Sequence, residues 1–143
     1  MVIPDVNVLV YAFRSDLPHH LDAKNWLDGT LSREEAFGWH PSLGASLARI
    51  TTNPRIFNNP STIEECDTFV RAILQAGALP VYESAAFWET FVNLAIKYQI
   101  SGKGISDVYW AALAIDQNAI LASADQGFGR IVELRWHNLL AQP

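Results

Sequence analysis

The chain has 143 residues, half of them hydrophobic and 17% charged, which excludes an intrinsically disordered chain and fits one ordinary folded domain over residues 1–143. Its formal net charge of −5 excludes a protein that coats nucleic acid by charge alone. It does not exclude phosphate chemistry, because a site built of carboxylates carries negative charge that a bound cation offsets.

Cys66 is the sole cysteine, so neither an intramolecular disulfide nor a multi-cysteine zinc site can form. The opening Met1-Val2-Ile3-Pro4-Asp5 has no basic segment followed by an apolar one, and the apolar run Val108 to Ile115 is too short to span a bilayer. The expectation is a soluble cytoplasmic protein with no membrane contact.

Short apolar runs alternate with longer amphipathic ones, which predicts an α/β fold with a mostly parallel sheet flanked by helices. Val2 to Pro4 reads as a first strand, followed by a helix after Asp5 with Asn7 as its cap. A second helix is expected from Pro18 to Leu31, with Pro18 in its first turn. Glu35 to Trp39 is a candidate second strand and Ser42 to Thr52 a helix that Asn53-Pro54 ends. Ser61-Thr62-Ile63-Glu64 resembles a capping box for a helix running to Gln75, with Gly77 as its stop. Leu79 to Tyr82 is a third strand and Ser84 to Tyr98 a helix. After the loop Ser101-Gly102-Lys103-Gly104, a helix from Ser106 to Gln117 has Ser106 as its cap. Ala119 to Ser123 is a buried fourth strand, and Glu133 to Trp136 a fifth at the sheet edge.

Three aspartates stand out. Asp5 and Asp125 follow apolar strands, where open α/β sheets place their ligands. Asp107 sits in the first turn of a helix that can point into the same crevice. Carboxylates gathered in one crevice repel one another, and a cation relieves that repulsion. Oxygen ligands of this kind suit Mg²⁺ or Mn²⁺, which activate water against phosphate esters. Any one of these acids is also explained as a turn or cap residue. The case rests on their joint placement. Ser123 lies close to Asp125 and is a candidate to bond a carboxylate. His19-His20 reads as a solvated pair, and His40 and His137 as structural. Trp26, Trp88 and Trp110 fall on helical faces and read as core or interface residues.

Four segments carry a family resemblance. Asp5-Val6-Asn7-Val8-Leu9-Val10-Tyr11-Ala12 resembles the opening of PIN domains, especially toxins of the VapC type. Arg49-Ile50-Thr51-Thr52-Asn53-Pro54-Arg55-Ile56-Phe57 resembles the central segment of one branch of them. Ile105-Ser106-Asp107 leading into Ala111-Ala112-Leu113-Ala114 resembles the third motif, and Leu121-Ala122-Ser123-Ala124-Asp125-Gln126-Gly127-Phe128 the fourth.

The resemblance implies a PIN-like fold and a Mg²⁺- or Mn²⁺-dependent endoribonuclease that cuts structured RNA. It further implies a protein antitoxin as partner and a homodimer. It makes Asp5, Asp107 and Asp125 the metal-site carboxylates, with Ser123 and Asn7 supporting them. Arg49, Arg55, Lys103 and Arg130 are candidate phosphate contacts. Two positions depart from the pattern: Ser46 stands where the family usually has a Glu, and Gly127 where a further Asp is common. A PIN-like module that binds antitoxin or RNA without cutting is the alternative these departures raise. A phosphoacceptor domain of the response-regulator kind ranks lower, since Asp5 has no acidic neighbour and no Lys follows Lys103.

Overall fold

The computed structural model describes residues 1–140; the last three residues of the expected domain lie outside them. In chain order the elements are β1 (Val2–Pro4), α1 (Val6–Phe13), α2 (His20–Leu31), β2 (Gly38–Trp39), α3 (Pro41–Thr51), α4 (Ile63–Gln75), β3 (Leu79–Pro80), α5 (Phe87–Lys97), α6 (Ile105–Asp116), β4 (Ile120–Ser123) and β5 (Trp136–Asn138). Short 3₁₀ turns cover Gly102–Gly104 and Gln126–Arg130.

All strand pairs are parallel. β4 lies between β1 and β5, with Ile3 opposite Leu121 and Ala122 opposite His137. β2 pairs with β3. A parallel bridge between Val2 and Phe37 joins the two pieces, so the spatial order is β3-β2-β1-β4-β5. Parallel strands need crossovers, and helices supply them on both faces. The central strands are accordingly apolar throughout: Ile3, Leu121 and Ala122 are fully buried, as are Leu9, Leu43, Leu47, Val108 and Leu113 from the helices.

Several boundaries differ from expectation for local reasons. Pro18 precedes α2, which starts at His20, while Pro41 takes the first-turn position in α3. The capping box of α4 is Thr62 with Glu65, one residue later than the sequence suggested. Gly77 ends that helix at φ +99°, a conformation that favours glycine. The last strand begins only at Trp136; Leu134 is buried inside the preceding turn, which gives that turn an apolar, strand-like pattern. His19 and His20 are half-buried, not a solvated pair: His20 Nδ1 lies 2.9 Å from the Tyr11 carbonyl, and His19 packs edge-on against the Tyr11 ring.

Candidate active site

The carboxyl ends of β1 and β4 meet where the chain leaves the sheet. Asp5 is the N-cap of α1, so the cap assigned to Asn7 belongs two residues earlier. Its Oδ1 accepts from the Val6 N–H at 2.7 Å and its Oδ2 from the Ser123 hydroxyl at 2.7 Å. Ser123 is fully buried and its Oγ is a hub. It donates to Asp5 and accepts from Asn7 Nδ2 at 3.2 Å and from the Asp125 N–H at 3.0 Å. Asn7 Oδ1 in turn accepts from the Ala124 N–H at 3.3 Å. Asn7 therefore supports Asp5 through Ser123 and ties the first helix to the fourth strand.

Burial, first of all, pushes the Asp5 carboxyl up to about 6, and the charges of Asp107 and Asp125 push in the same direction. Hydrogen bonds from Ser123 and Val6 oppose the rise. Asp107, in the exposed first turn of α6, is also raised, by partial burial and then by Asp125; Arg130 pulls it back. Asp5 thus feels both of the other aspartates and Asp107 feels Asp125, although Asp107 is about a hundred residues from Asp5 in sequence. Asp125 caps the 3₁₀ turn that follows it, its Oδ1 accepting from the Gly127 N–H at 2.8 Å.

α6 begins at Ile105 with Gly104 as N-cap and no side-chain capping bond; the expected cap, Ser106, instead donates from its hydroxyl to the Lys103 carbonyl. The donor set is all oxygen and its charges are mutually unfavourable, which is the chemistry that suits a hard divalent cation. Among the described residues, no three His, Cys, Asp or Glu side chains form a ready-made metal cage. Mg²⁺ does not require one, since it keeps several waters and takes only one or two carboxylates.

The remaining assigned residues divide. Arg130 is near enough to act on Asp107. Arg49, Arg55 and Lys103 are exposed, at the end of α3, in the following turn and in the turn before α6. Ser46 is half-buried on α3 and Gly127 contributes only its N–H. A Cβ at Gly127 would stand 3.0 Å from Asp125 Oδ1.

Two features went unread in the sequence. Arg14 is buried and lies over the Phe57 ring at 4.0 Å, donating to the Asn59 carbonyl, to Ser61 Oγ and to Asp16. It pins the Asn53–Ser61 segment to the end of α1. His40 joins a polar cluster with Tyr109 and Glu83 at the carboxyl ends of β2 and β3. Trp110 is core, Trp26 is half-buried, and Trp88 is 68% exposed.

The PIN domain family model matches residues 2–134. The chain belongs to the PIN-domain family. Its relatives place it in the VapC group. It is 37% identical to Ribonuclease VapC43 of Mycobacterium tuberculosis over 141 residues, 98% of this chain and 96% of the relative. It is 32% identical to Ribonuclease VapC25 of the same species over 136 residues, 94% and 96% of the two chains. The same PIN fold recurs in the structure of VapBC2 from Rickettsia felis bound to a promoter DNA fragment, with TM-score 0.72, 20% identity and coverage of 96% and 98%. It recurs again in VapBC-1 from nontypeable Haemophilus influenzae, with TM-score 0.64, 19% identity and coverage of 99% and 100%.

Proposed function

We propose that this PIN domain is a metal-dependent endoribonuclease, the toxin of a toxin–antitoxin pair, with Asp5, Asp107 and Asp125 as its catalytic carboxylates. The observation that carries the reading is a buried, Ser123-anchored Asp5 whose carboxyl is raised by burial and by the nearby charges of Asp107 and Asp125. Relatives named VapC ribonucleases across nearly the whole chain support it.

Asp5 and Asp107 would hold the cation, and Asp125 would complete the shell directly or through water. Bound Mg²⁺ or Mn²⁺ supplies a Lewis acid that offsets phosphate charge and lowers the pKa of water. The protein does the positioning. The Ser123 hydroxyl and Val6 N–H each take one lone pair of the two Asp5 oxygens and fix the carboxylate, so a cation would bind through what remains. The Gly127 N–H orients Asp125. Arg130 offers a cation beside Asp107 for the scissile phosphate or its neighbour.

The antitoxin reading has a physical seat. A groove of about 610 Å³ lies between α1, α2 and α4, walled by Ala12, Phe13, Leu27, Phe69 and Ile73 with His20, Lys24 and Asp28 on its polar rim. An amphipathic antitoxin segment fits such a wall and rim. Solved relatives of the same fold are named as VapBC assemblies. A homodimer is the second part of the assembly reading, supported by exposed Trp88 and Ile96 on α5.

The test uses protein purified free of antitoxin and total cellular RNA, with new ends mapped by sequencing. Metal-dependent ends that vanish with chelator are expected. If no such ends form, and the protein still binds an antitoxin or RNA, Ser46 and Gly127 mark a non-cutting binding module instead.

A further inference from the structure

The His40–Tyr109–Glu83 cluster takes no part in the carboxylate site, yet it lies on the same edge of the sheet. Glu83 follows β3, His40 follows β2 and Asp5 follows β1, in the spatial order β3-β2-β1. β3 lies two strand spacings from β1, about 10 Å along the sheet edge, and Glu83 sits three residues past the end of β3. Tyr109 is two residues beyond Asp107 on α6, so the cluster is tied to the metal-site helix as well.

Two side chains meet one oxygen of the Glu83 carboxylate. Tyr109 donates its hydroxyl to Glu83 Oε1, and His40 Nε2 lies 3.5 Å from that oxygen and 3.4 Å from the Tyr109 hydroxyl. His40 Nδ1 accepts from the Ser42 N–H at 3.2 Å, which makes it the N-cap of α3 and turns Nε2 toward Glu83 and Tyr109. Both of these side-chain contacts fall on Oε1, and 34% of the Glu83 side chain is open to solvent. The bond from Tyr109, with a backbone N–H and His40 behind it, holds the Glu83 carboxyl below the usual range, so it is an acceptor only at neutral pH. Beside it, Tyr82 is 60% exposed and its ring meets His40 edge-on at 6.4 Å between centroids.

We propose that Tyr82 and Glu83 form a base-reading subsite that takes an unpaired guanine next to the cleaved phosphate. Tyr82 is the stacking face, and the Glu83 carboxylate accepts from the guanine N1–H and N2–H₂. Splayed RNA bases are read in this manner, by an aromatic face and by hydrogen bonds to the Watson–Crick edge. A fixed carboxylate selects for adjacent N–H donors, and guanine alone among the four bases presents two on that edge. A place on the carboxyl edge of the sheet, just past β3 and two strands from β1, suits a nucleotide near the cleaved phosphate. A net-acidic protein also gains little from generic phosphate attraction, so discrimination has to come from contacts of this kind. The inference rests on RNA being the substrate.

The test is binding first, so that it stands apart from cleavage. Wild-type protein in chelator is titrated into fluorescein-labelled RNA hairpins whose loops carry guanine, inosine or adenine at successive positions. At one loop position guanine is expected to bind roughly tenfold tighter than inosine, which lacks the N2 amino group. Glu83→Gln should abolish that preference. Tyr82→Ala should weaken binding of guanine and inosine loops alike, and Tyr82→Phe should restore it. Where metal-dependent cleavage is present, the mapped ends should share a guanine at one fixed position, and Tyr82→Ala should raise KM more than it lowers kcat. Equal binding of guanine and inosine, a preference that survives Glu83→Gln, or no RNA binding at all overturns the subsite. Guanine-selective binding without metal-dependent cleavage would keep the subsite and overturn the nuclease reading instead.

Discussion

Replacing Asp5 with Asn should make the metal-free protein more stable at neutral pH, against the usual expectation for a buried polar residue. The Asp5 carboxyl is raised from 3.8 to about 6, chiefly by burial. At about 1.4 kcal/mol for each tenfold change in proton affinity, keeping it ionised at pH 7.5 costs the fold about 3 kcal/mol. Because the folded-state value is the higher one, the stabilising protonated form is fully present below about pH 4 and is lost as pH rises through about 6. Asn keeps an acceptor for the Val6 N–H. Its amide, however, would face a Ser123 oxygen that already accepts from Asn7 and from the Asp125 N–H, at a cost of about 1 kcal/mol. The net gain is about 2 kcal/mol at pH 7.5, roughly 6 °C in Tm for a domain of this size. Thermal melts of both proteins in chelator, at pH 4.5 and pH 7.5, measure it. The advantage should vanish at pH 4.5, and saturating Mn²⁺ should reverse it at pH 7.5 by stabilising wild type alone. An Asp5→Asn protein no more stable than wild type at pH 7.5, or equally favoured at both pH values, refutes the reasoning.

Ser123→Ala should destabilise the fold by about 2–3 kcal/mol in urea melts, because it strips a donor from Asp5 and an acceptor from two N–H groups. The same change should move the Asp5 titration midpoint still higher by carboxyl NMR, since the lost hydroxyl had held it down. Gly38→Ala should cost about 1–3 kcal/mol by overpacking, because a Cβ there would stand 2.9 Å from Ile3 Cγ1 and 3.0 Å from Val81 Cγ1; chemical denaturation measures it. Ser46→Glu should tighten Mn²⁺ binding in calorimetry by adding an anionic oxygen ligand. Unchanged affinity would mean that this position of α3 does not face the cation.

The fold was legible where chain chemistry is local. An apolar strand ending in an acid and a Gly closing a helix need no partner to be recognised, and Asp5, Asp125 and Gly77 sit where such signals put them. The elements that slipped are those whose ends depend on distant packing. β5 shifted from Glu133–Trp136 to Trp136–Asn138 because its register is set by β4. The support around Asp5 was only half legible. Ser123 and Asn7 carried family signals, but the bond from Asn7 runs to a hydroxyl 116 residues away, and no local pattern reveals it. Arg14 was invisible for the same reason: its partners Phe57, Asn59 and Ser61 are brought to it only when the segment after α3 folds back. His40 looked isolated because Glu83 and Tyr109 reach it from other elements.

The most direct test of the central claim is single-turnover cleavage of one mapped RNA target across a Mg²⁺ titration, with wild type and Asp107→Asn side by side. Asn keeps the size and hydrogen-bonding capacity of Asp107 but removes the charge that would hold the cation. The account predicts saturable, Mg²⁺-dependent cleavage by wild type and a rate at least a hundredfold lower for Asp107→Asn, while thermal melts in chelator show the variant folded. Cleavage that persists in chelator, or an Asp107→Asn protein that cuts at the wild-type rate with the same Mg²⁺ dependence, would contradict it.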